Sequence, residues 1–421
     1  MSISLFRSLS YYTLTAVFNG LVPFILLPVF TRFLTKADYG QFSVLTAQIS
    51  IVSPLIIFGL PSLFSVDFNK FGINELRRKS IVWLIFPVFN TILLVFFTWP
   101  VRHLLANQFH IPVVWVSLIP FIALINFIPQ LVSVVFRVSD KPHYFAIYEV
   151  AQALIQIVSS FILIAFFGFH WEGRLFSILL SGSLATGFGF FLLRSYIKIQ
   201  LPQSSDIKET AKFGLGLIPH SVLGQTIRLG DRLFIVHFIS LSAAGEYAVG
   251  AQISSILLVL LSAFNQAWTP YLFSKLADSD DYTRRQLVNQ SYKIVALFII
   301  VLLIFNLAIS PIFCYLVSPE FSGAQRFVPI SSVAYFFTGC YLLFTDYIFF
   351  VKKTHLFSIV TTLNCGLNLT MNYFFIKRFG AVGVSYAFAI SSGIMMLVTW
   401  ILSNQVYPMP WFYWLKSGSS K

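Results

Sequence analysis

Arg228, Asp231 and Arg232 fall at i, i+3 and i+4, so in a helix they share one face, which Ser221, Gly224 and Gln225 extend toward the amino end. Asp231 can neutralise one arginine, which leaves a net positive charge beside the other. Two chemistries fit. Either the arginines reach a membrane interface along their own alkyl stems, or they line a cavity for an anionic substrate, because a guanidinium fork matches phosphate and carboxylate oxygens. Glu149 and Asp346 lie within apolar surroundings; each is a proton or cation site, a partner for an arginine across a cavity, or an interfacial acid. Thr361, Asn364, Asn368 and Asn372 repeat at helical spacing, and Asn19 and Asn126 add further amides. Hydrogen bonding between helices is the simpler role for these groups; the alternative is a polar cavity wall carrying Asn19, Gln225, Asn364 and Asn368. No catalytic constellation, metal-ligand spacing or phosphate-binding glycine loop occurs, so neither an enzyme nor a bound metal or cofactor is expected, and ATP hydrolysis by this chain is excluded. Cys314, Cys340 and Cys365 sit in apolar stretches without ligand spacing and read as small buried hydrophobes.

The elements that must position these groups are dictated by composition. The 421 residues are 57% hydrophobic and 10% charged, against roughly 25% charged in a soluble globular domain, so the solvent of this chain is lipid. A helix needs about 20 apolar residues to cross the hydrocarbon. Twelve such runs occur, at 8–31, 39–66, 80–101, 111–136, 142–169, 175–193, 213–240, 247–274, 294–318, 327–351, 356–376 and 379–406. The first lacks a small-residue cleavage site and is expected to stay as a span. Pro23, Pro28 and Pro219 fall in the first and seventh runs, where kinked backbone suits a gating element. With the amino end inside, 19 of the 28 Lys and Arg lie in cytoplasmic segments, seven lie in the opposite loops and two lie inside the seventh run. That bias places both termini in the cytoplasm. It also accounts for the net charge of +13 without any nucleic-acid partner.

A shift of 205 residues sets Arg32-Phe33-Leu34-Thr35 over His237-Phe238-Ile239-Ser240, and Gly40-x-Phe42-x-Val44 over Gly245-x-Tyr247-x-Val249. A weaker echo relates Glu172-Gly173-Arg174 to Val382-Gly383-Val384. An even six runs per half makes this a parallel repeat, as in some secondary transporters. The expected fold is thus an all-α polytopic membrane protein of about 12 transmembrane helices in two six-helix bundles. Residues 1–197 form the first bundle, 198–212 a cytoplasmic linker, 213–406 the second bundle and 407–421 a short cytoplasmic tail.

The stretch Leu27-Pro28-Val29-Phe30-Thr31-Arg32-Phe33-Leu34-Thr35-Lys36-Ala37-Asp38-Tyr39-Gly40 resembles the first loop of the Wzx-type O-antigen flippases, members of the multidrug/oligosaccharidyl-lipid/polysaccharide exporter superfamily. Phe213-Gly214-Leu215-Gly216-Leu217-Ile218-Pro219-His220, Asp231-Arg232-Leu233-Phe234-Ile235 and Phe264-Asn265-Gln266-Ala267-Trp268-Thr269-Pro270 extend the resemblance over nearly the whole chain. It implies a flippase that carries an undecaprenyl-diphosphate-linked oligosaccharide, a lipopolysaccharide repeat unit, from the cytoplasmic to the outer leaflet of the bacterial inner membrane. It also implies alternating access driven by a proton or sodium gradient, with the polysaccharide polymerase and the chain-length regulator as partners beside the membrane lipids. Arg32, Arg228 and Arg232 carry over as anion contacts, with Glu149, Asp231 and Asp346 as ion-coupling groups or charge partners. The alternatives are an ion-coupled drug exporter, or exporter of another lipid-linked precursor, from the same superfamily. A membrane polymerase or ligase is disfavoured, because every outer loop is short.

Overall fold

The computed structural model describes residues 3–194, 197, 200–277, 280–353 and 355–413, with side chains excepted at 3–10, 72–75, 78 and 355. The expectations placed on Arg7, Arg78, Lys198 and the tail cations Lys416 and Lys421 lie outside what is described. Among the described residues the chain is helical throughout, without strands. The helices are α1 (Ile3–Phe33), α2 (Lys36–Ile57), α3 (Leu60–Phe109), α4 (Val113–Ile125), α5 (Phe127–Val138), α6 (Pro142–Phe161), α7 (Trp171–Leu193), α8 (Ser204–Leu229), α9 (Asp231–Phe238), α10 (Leu241–Ala277), α11 (Asp281–Leu316), α12 (Val328–Phe350), α13 (His355–Phe379) and α14 (Ala381–Val406).

The twelve apolar runs all fall on helices, and among the described residues ten helical segments are long and apolar enough to cross a membrane. Those on 213–240 and 356–376 fall short, which corrects the count by that measure. The reason lies in their polar groups: Gln225, Arg228, Asp231 and Arg232 in one, Asn364, Asn368 and Asn372 in the other. Phe96, Phe97, Leu303 and Leu307 are 71%, 63%, 64% and 79% exposed, which suits side chains solvated by lipid.

Two compact units form, Met1–Ala248 and Val249–Lys421. In the first, α1 packs along α6, α2 lies against α4 and α8, and α5 meets α7. Its core gathers Phe64, Trp83, Phe127, Leu131 and Tyr148. In the second, α14 packs on α12 and α13 over a core of Leu261, Phe298, Phe336, Tyr347 and Trp411.

Three local features place the polar groups. First, α3 cannot be straight: Lys79 Nζ lies 3.1 Å from Asp67 Oδ2, whereas twelve residues of straight helix would hold them about 18 Å apart. The Phe64 and Trp83 rings likewise meet at 4.9 Å, so the chain reverses between them and the runs 39–66 and 80–101 lie side by side. Second, the run 111–136 breaks at Asn126 into α4 and α5. Pro129 has no N–H for the Ile125 carbonyl, and the Thr186 hydroxyl of α7 donates to that oxygen at 2.7 Å. Third, Thr35 and Asp38 form a reciprocal cap at the start of α2, which gives the Thr35–Gly40 motif its structural reason. The repeat partner of Thr35, Ser240, accepts from the Ala243 N–H at 3.2 Å at the start of α10.

These two capped helix starts cross at glycine. A Cβ on Gly40 would lie 2.1 Å from the Leu241 carbonyl oxygen, and one on Gly245 would lie 2.0 Å from the Lys36 carbonyl oxygen. Lys36 and Leu241 are themselves related by the 205-residue shift, so the contact is reciprocal, as across a local two-fold axis. Only glycine permits this approach, and Lys36 Nζ adds an ion pair to Glu246 Oε1 at 2.7 Å.

Candidate functional site

The polar groups of the first unit converge on three joined cavities. One of about 300 Å³ is walled by Asn126 and by Gln130, Ser133 and Arg137 of α5 together with Glu149 and Gln152 of α6. Gln130 and Pro61 are shared with a second, of about 270 Å³, whose polar lining is Ser53, Ser62, Ser221 and Gln225. Glu149 and Gln152 are shared with a third, of about 250 Å³, which adds Asn19, Gln156 and Arg174. Helical spacing explains the lining: Asn126, Gln130, Ser133 and Arg137 follow one stripe and Glu149, Gln152 and Gln156 another.

Glu149 is the hub. Its Oε2 accepts from Asn19 Nδ2 at 2.8 Å, and its Oε1 accepts from the Ser133 hydroxyl. Two residues singled out from sequence, Asn19 and Glu149, are thereby brought together, and Gln225 lies on the adjoining wall. Asn19 Oδ1 and Gln225 Oε1 are buried and have no hydrogen-bond partner among the described residues. Arg174 Nε is buried and equally without one. Their residues nonetheless line the cavities, whose walls carry the amides of Asn19, Asn126, Gln130, Gln152, Gln156 and Gln225, groups that both donate and accept.

The remaining expected residues lie elsewhere. Arg32 and Arg228 are exposed and line none of these cavities. Arg232 is half-buried, donates to the Arg228 carbonyl at 3.4 Å and lies 5.9 Å from the Tyr247 ring. Asp231 is buried and accepts from the Tyr247 hydroxyl at 2.6 Å. Asp346, Asn364 and Asn368 belong to the second unit. Asp346 is buried and accepts from Thr269 at 2.8 Å. Asn368 donates to Ser391 of α14 at 3.2 Å and accepts from Asn372 at 3.0 Å, while Asn364 Oδ1 is buried without a partner among the described residues. Asn368 thus ties α13 to α14, while Asn372 bonds along α13 itself.

Sequence reasoning missed Arg174, counted among the cations of the outer loops. It is 7% exposed. The signal was present: Arg174, Ser177, Ser181 and Ala185 recur at helical spacing, and all four are buried on one face of α7.

Among the described residues the chain is strand-free, with helices long and apolar enough to cross a membrane set around polar cavities, and solved structures share this fold. The fold is shared with an inward-facing multidrug resistance MATE family transporter of the MOP superfamily, at TM-score 0.74 and 14% identity over 92% of this chain and 94% of that one. It is shared equally with the lipid II flippase MurJ in an inward closed conformation, at TM-score 0.70 and 13% identity over 94% and 87%. The chain belongs to the polysaccharide biosynthesis protein family, whose signature it matches over residues 5–276. A Haemophilus influenzae relative, Lsg locus putative protein 1, is 23% identical over 85% of this chain and 88% of its own length.

Proposed function

We propose that this family member is a flippase for undecaprenyl-diphosphate-linked oligosaccharide, moving an O-antigen-type repeat unit to the outer leaflet of a bacterial inner membrane with both termini cytoplasmic. The observation that carries the reading is the amide-rich lining of the joined cavities, where Asn19, Asn126, Gln130, Gln152, Gln156 and Gln225 supply carbonyl acceptors and NH2 donors together. Sugar hydroxyls donate and accept at once, so a glycan satisfies both kinds of group where a hydrocarbon satisfies neither. The diphosphate is assigned to Arg32, Arg228 and Arg232 outside the cavity, and the polyprenyl tail to lipid. Bundles 1–197 and 213–406, joined by 198–212, would alternate access, with a proton or sodium gradient as driving force. The polymerase and chain-length regulator would act on the delivered unit.

The test is leaflet-resolved appearance of a labelled undecaprenyl-diphosphate oligosaccharide in vesicles containing the purified chain. Acceleration over empty vesicles that Asn19→Leu and Gln225→Leu remove is expected; no acceleration with several repeat units would refute the flippase. The drug-exporter reading has one observation in its favour, the Glu149 carboxylate in the cavity, which suits a lipophilic cation. Uptake of such a cation into the same vesicles under an imposed gradient separates the two.

A further inference from the structure

Arg174 occupies the first turn of α7. Its Nη1 donates to Ser160 Oγ at 2.9 Å, and the guanidinium carbon lies 5.4 Å from the Phe30 ring centre and 5.8 Å from that of Phe42. Its Nε has no hydrogen-bond partner, and the side chain has no ion pair among the described residues. A guanidinium keeps its charge in any surroundings, and a buried, uncompensated charge is strongly unfavourable. The two rings offset part of that through their faces, but they cannot accept the in-plane N–H groups, of which the fork has five. Arg174 lines a cavity of about 250 Å³, and Ser160 takes one of the five N–H groups of its fork.

The same cavity contains Asn19, Gln152 and Gln156, and Glu149 at its far end. Glu149 is not the missing counter-ion. It lies eleven residues before Ser160 along α6, or about 16 Å, and its oxygens are engaged by Asn19 and Ser133.

Resting on the lipid-linked glycan reading above, we propose that Arg174 seats the carboxylate of an acidic sugar in the transported glycan, with the amides of Asn19, Gln152 and Gln156 receiving the neighbouring hydroxyls. A carboxylate fits the planar fork through two parallel hydrogen bonds, and its single negative charge balances the single guanidinium. A diphosphate would bring a second negative charge into a cavity that already holds the Glu149 carboxylate. The competing role for Arg174 is purely structural, tying α6 to α7 through Ser160 and the phenylalanines.

The purified full chain in detergent, titrated with sodium glucuronate, glucose and inorganic pyrophosphate while its thermal unfolding is followed, tells the roles apart. Glucuronate should raise the unfolding temperature, and glucose at the same concentration should not. Arg174→Gln should weaken the glucuronate response about tenfold or more, Arg174→Lys should retain part of it, and Arg102→Gln, outside these cavities, should leave it intact. Should Arg174→Gln fail to fold, Gln156→Leu, one turn before Ser160 on the same cavity, must still weaken the response, and the wild-type preference for glucuronate over glucose must hold by itself. Equal responses to glucuronate and glucose, an undiminished response in Arg174→Gln or Gln156→Leu, or a response to pyrophosphate alone overturns the assignment. The titration needs no transport, so a chain that binds glucuronate yet flips nothing sinks the flippase reading, and a chain that flips without binding glucuronate sinks this one.

Discussion

Lys79 is held between two acids at different depths. Its Nζ lies 3.1 Å from Asp67 Oδ2 and 2.8 Å from Glu209 Oε2, and the side chains are 5% exposed for Lys79, 2% for Asp67 and 51% for Glu209. Depth decides what each contact contributes. Lys79→Met strands the Asp67 carboxylate in a site it cannot leave, a loss of about 3 to 5 kcal/mol for a buried pair broken on one side. Glu209→Gln releases a partner half in water, where screening and side-chain entropy leave about 1 kcal/mol or less. The double variant Asp67→Asn with Lys79→Met removes both buried charges and should recover most of the Lys79→Met loss, a coupling of about 2 kcal/mol or more between touching groups. Denaturant titration of the purified protein in mixed micelles measures the wild type, these three variants and Asp67→Asn alone, and hydrogen exchange between Phe64 and Trp83 reports whether the α3 reversal opens first. If Lys79→Met costs no more than Glu209→Gln, or if the two single losses simply add in the double variant, Asp67 and Lys79 are not the buried pair that closes this reversal.

Other consequences rest on single contacts. Gly40→Ala or Gly245→Ala must push two backbones apart by about 1 Å, at about 1 to 3 kcal/mol each; because the contact is shared, the double variant should cost less than the sum, and additive losses in the same titration would argue against the reciprocal crossing. Thr186→Val keeps shape but leaves the Ile125 carbonyl without its donor, so about 1 to 3 kcal/mol should be lost; a neutral result would mean that another group satisfies the break before Pro129. Asp280 caps α11, and hydrogen bonding from Thr283 holds its carboxyl below the ordinary aspartate value. Its contribution is therefore complete above the unfolded-state value and lost as pH falls through the lower folded-state one; amide exchange at the start of α11 should quicken over that acid range, and Asp280→Asn should abolish the pH dependence.

How far the chain was legible depends on the range over which each feature is determined. Lipid imposes about 20 apolar residues on any crossing helix, and that one-dimensional rule found the ten segments long and apolar enough to cross among the described residues. It fails only where polar content is concentrated, in 213–240 and 356–376. The caps were equally readable, because Thr35 and Asp38 are three residues apart and bond to each other's backbone. Breaks inside a segment were not, since the one at Asn126 depends on a hydroxyl supplied by Thr186, 61 residues away. Depth was the hardest quantity. Arg228, for which a cavity and an interface both stood open, is exposed, whereas Lys79 and Arg174 looked like loop cations and are buried. Hydropathy averages over a run, but burial of one cation is decided by its neighbours along a single helical face. Behind Arg174 stand Ser177, Ser181 and Ala185, small residues that let neighbouring helices close over the guanidinium. Small side chains at i+3, i+7 and i+11 after a basic residue are thus a sharper sign of an interior charge than its distance from the end of an apolar run.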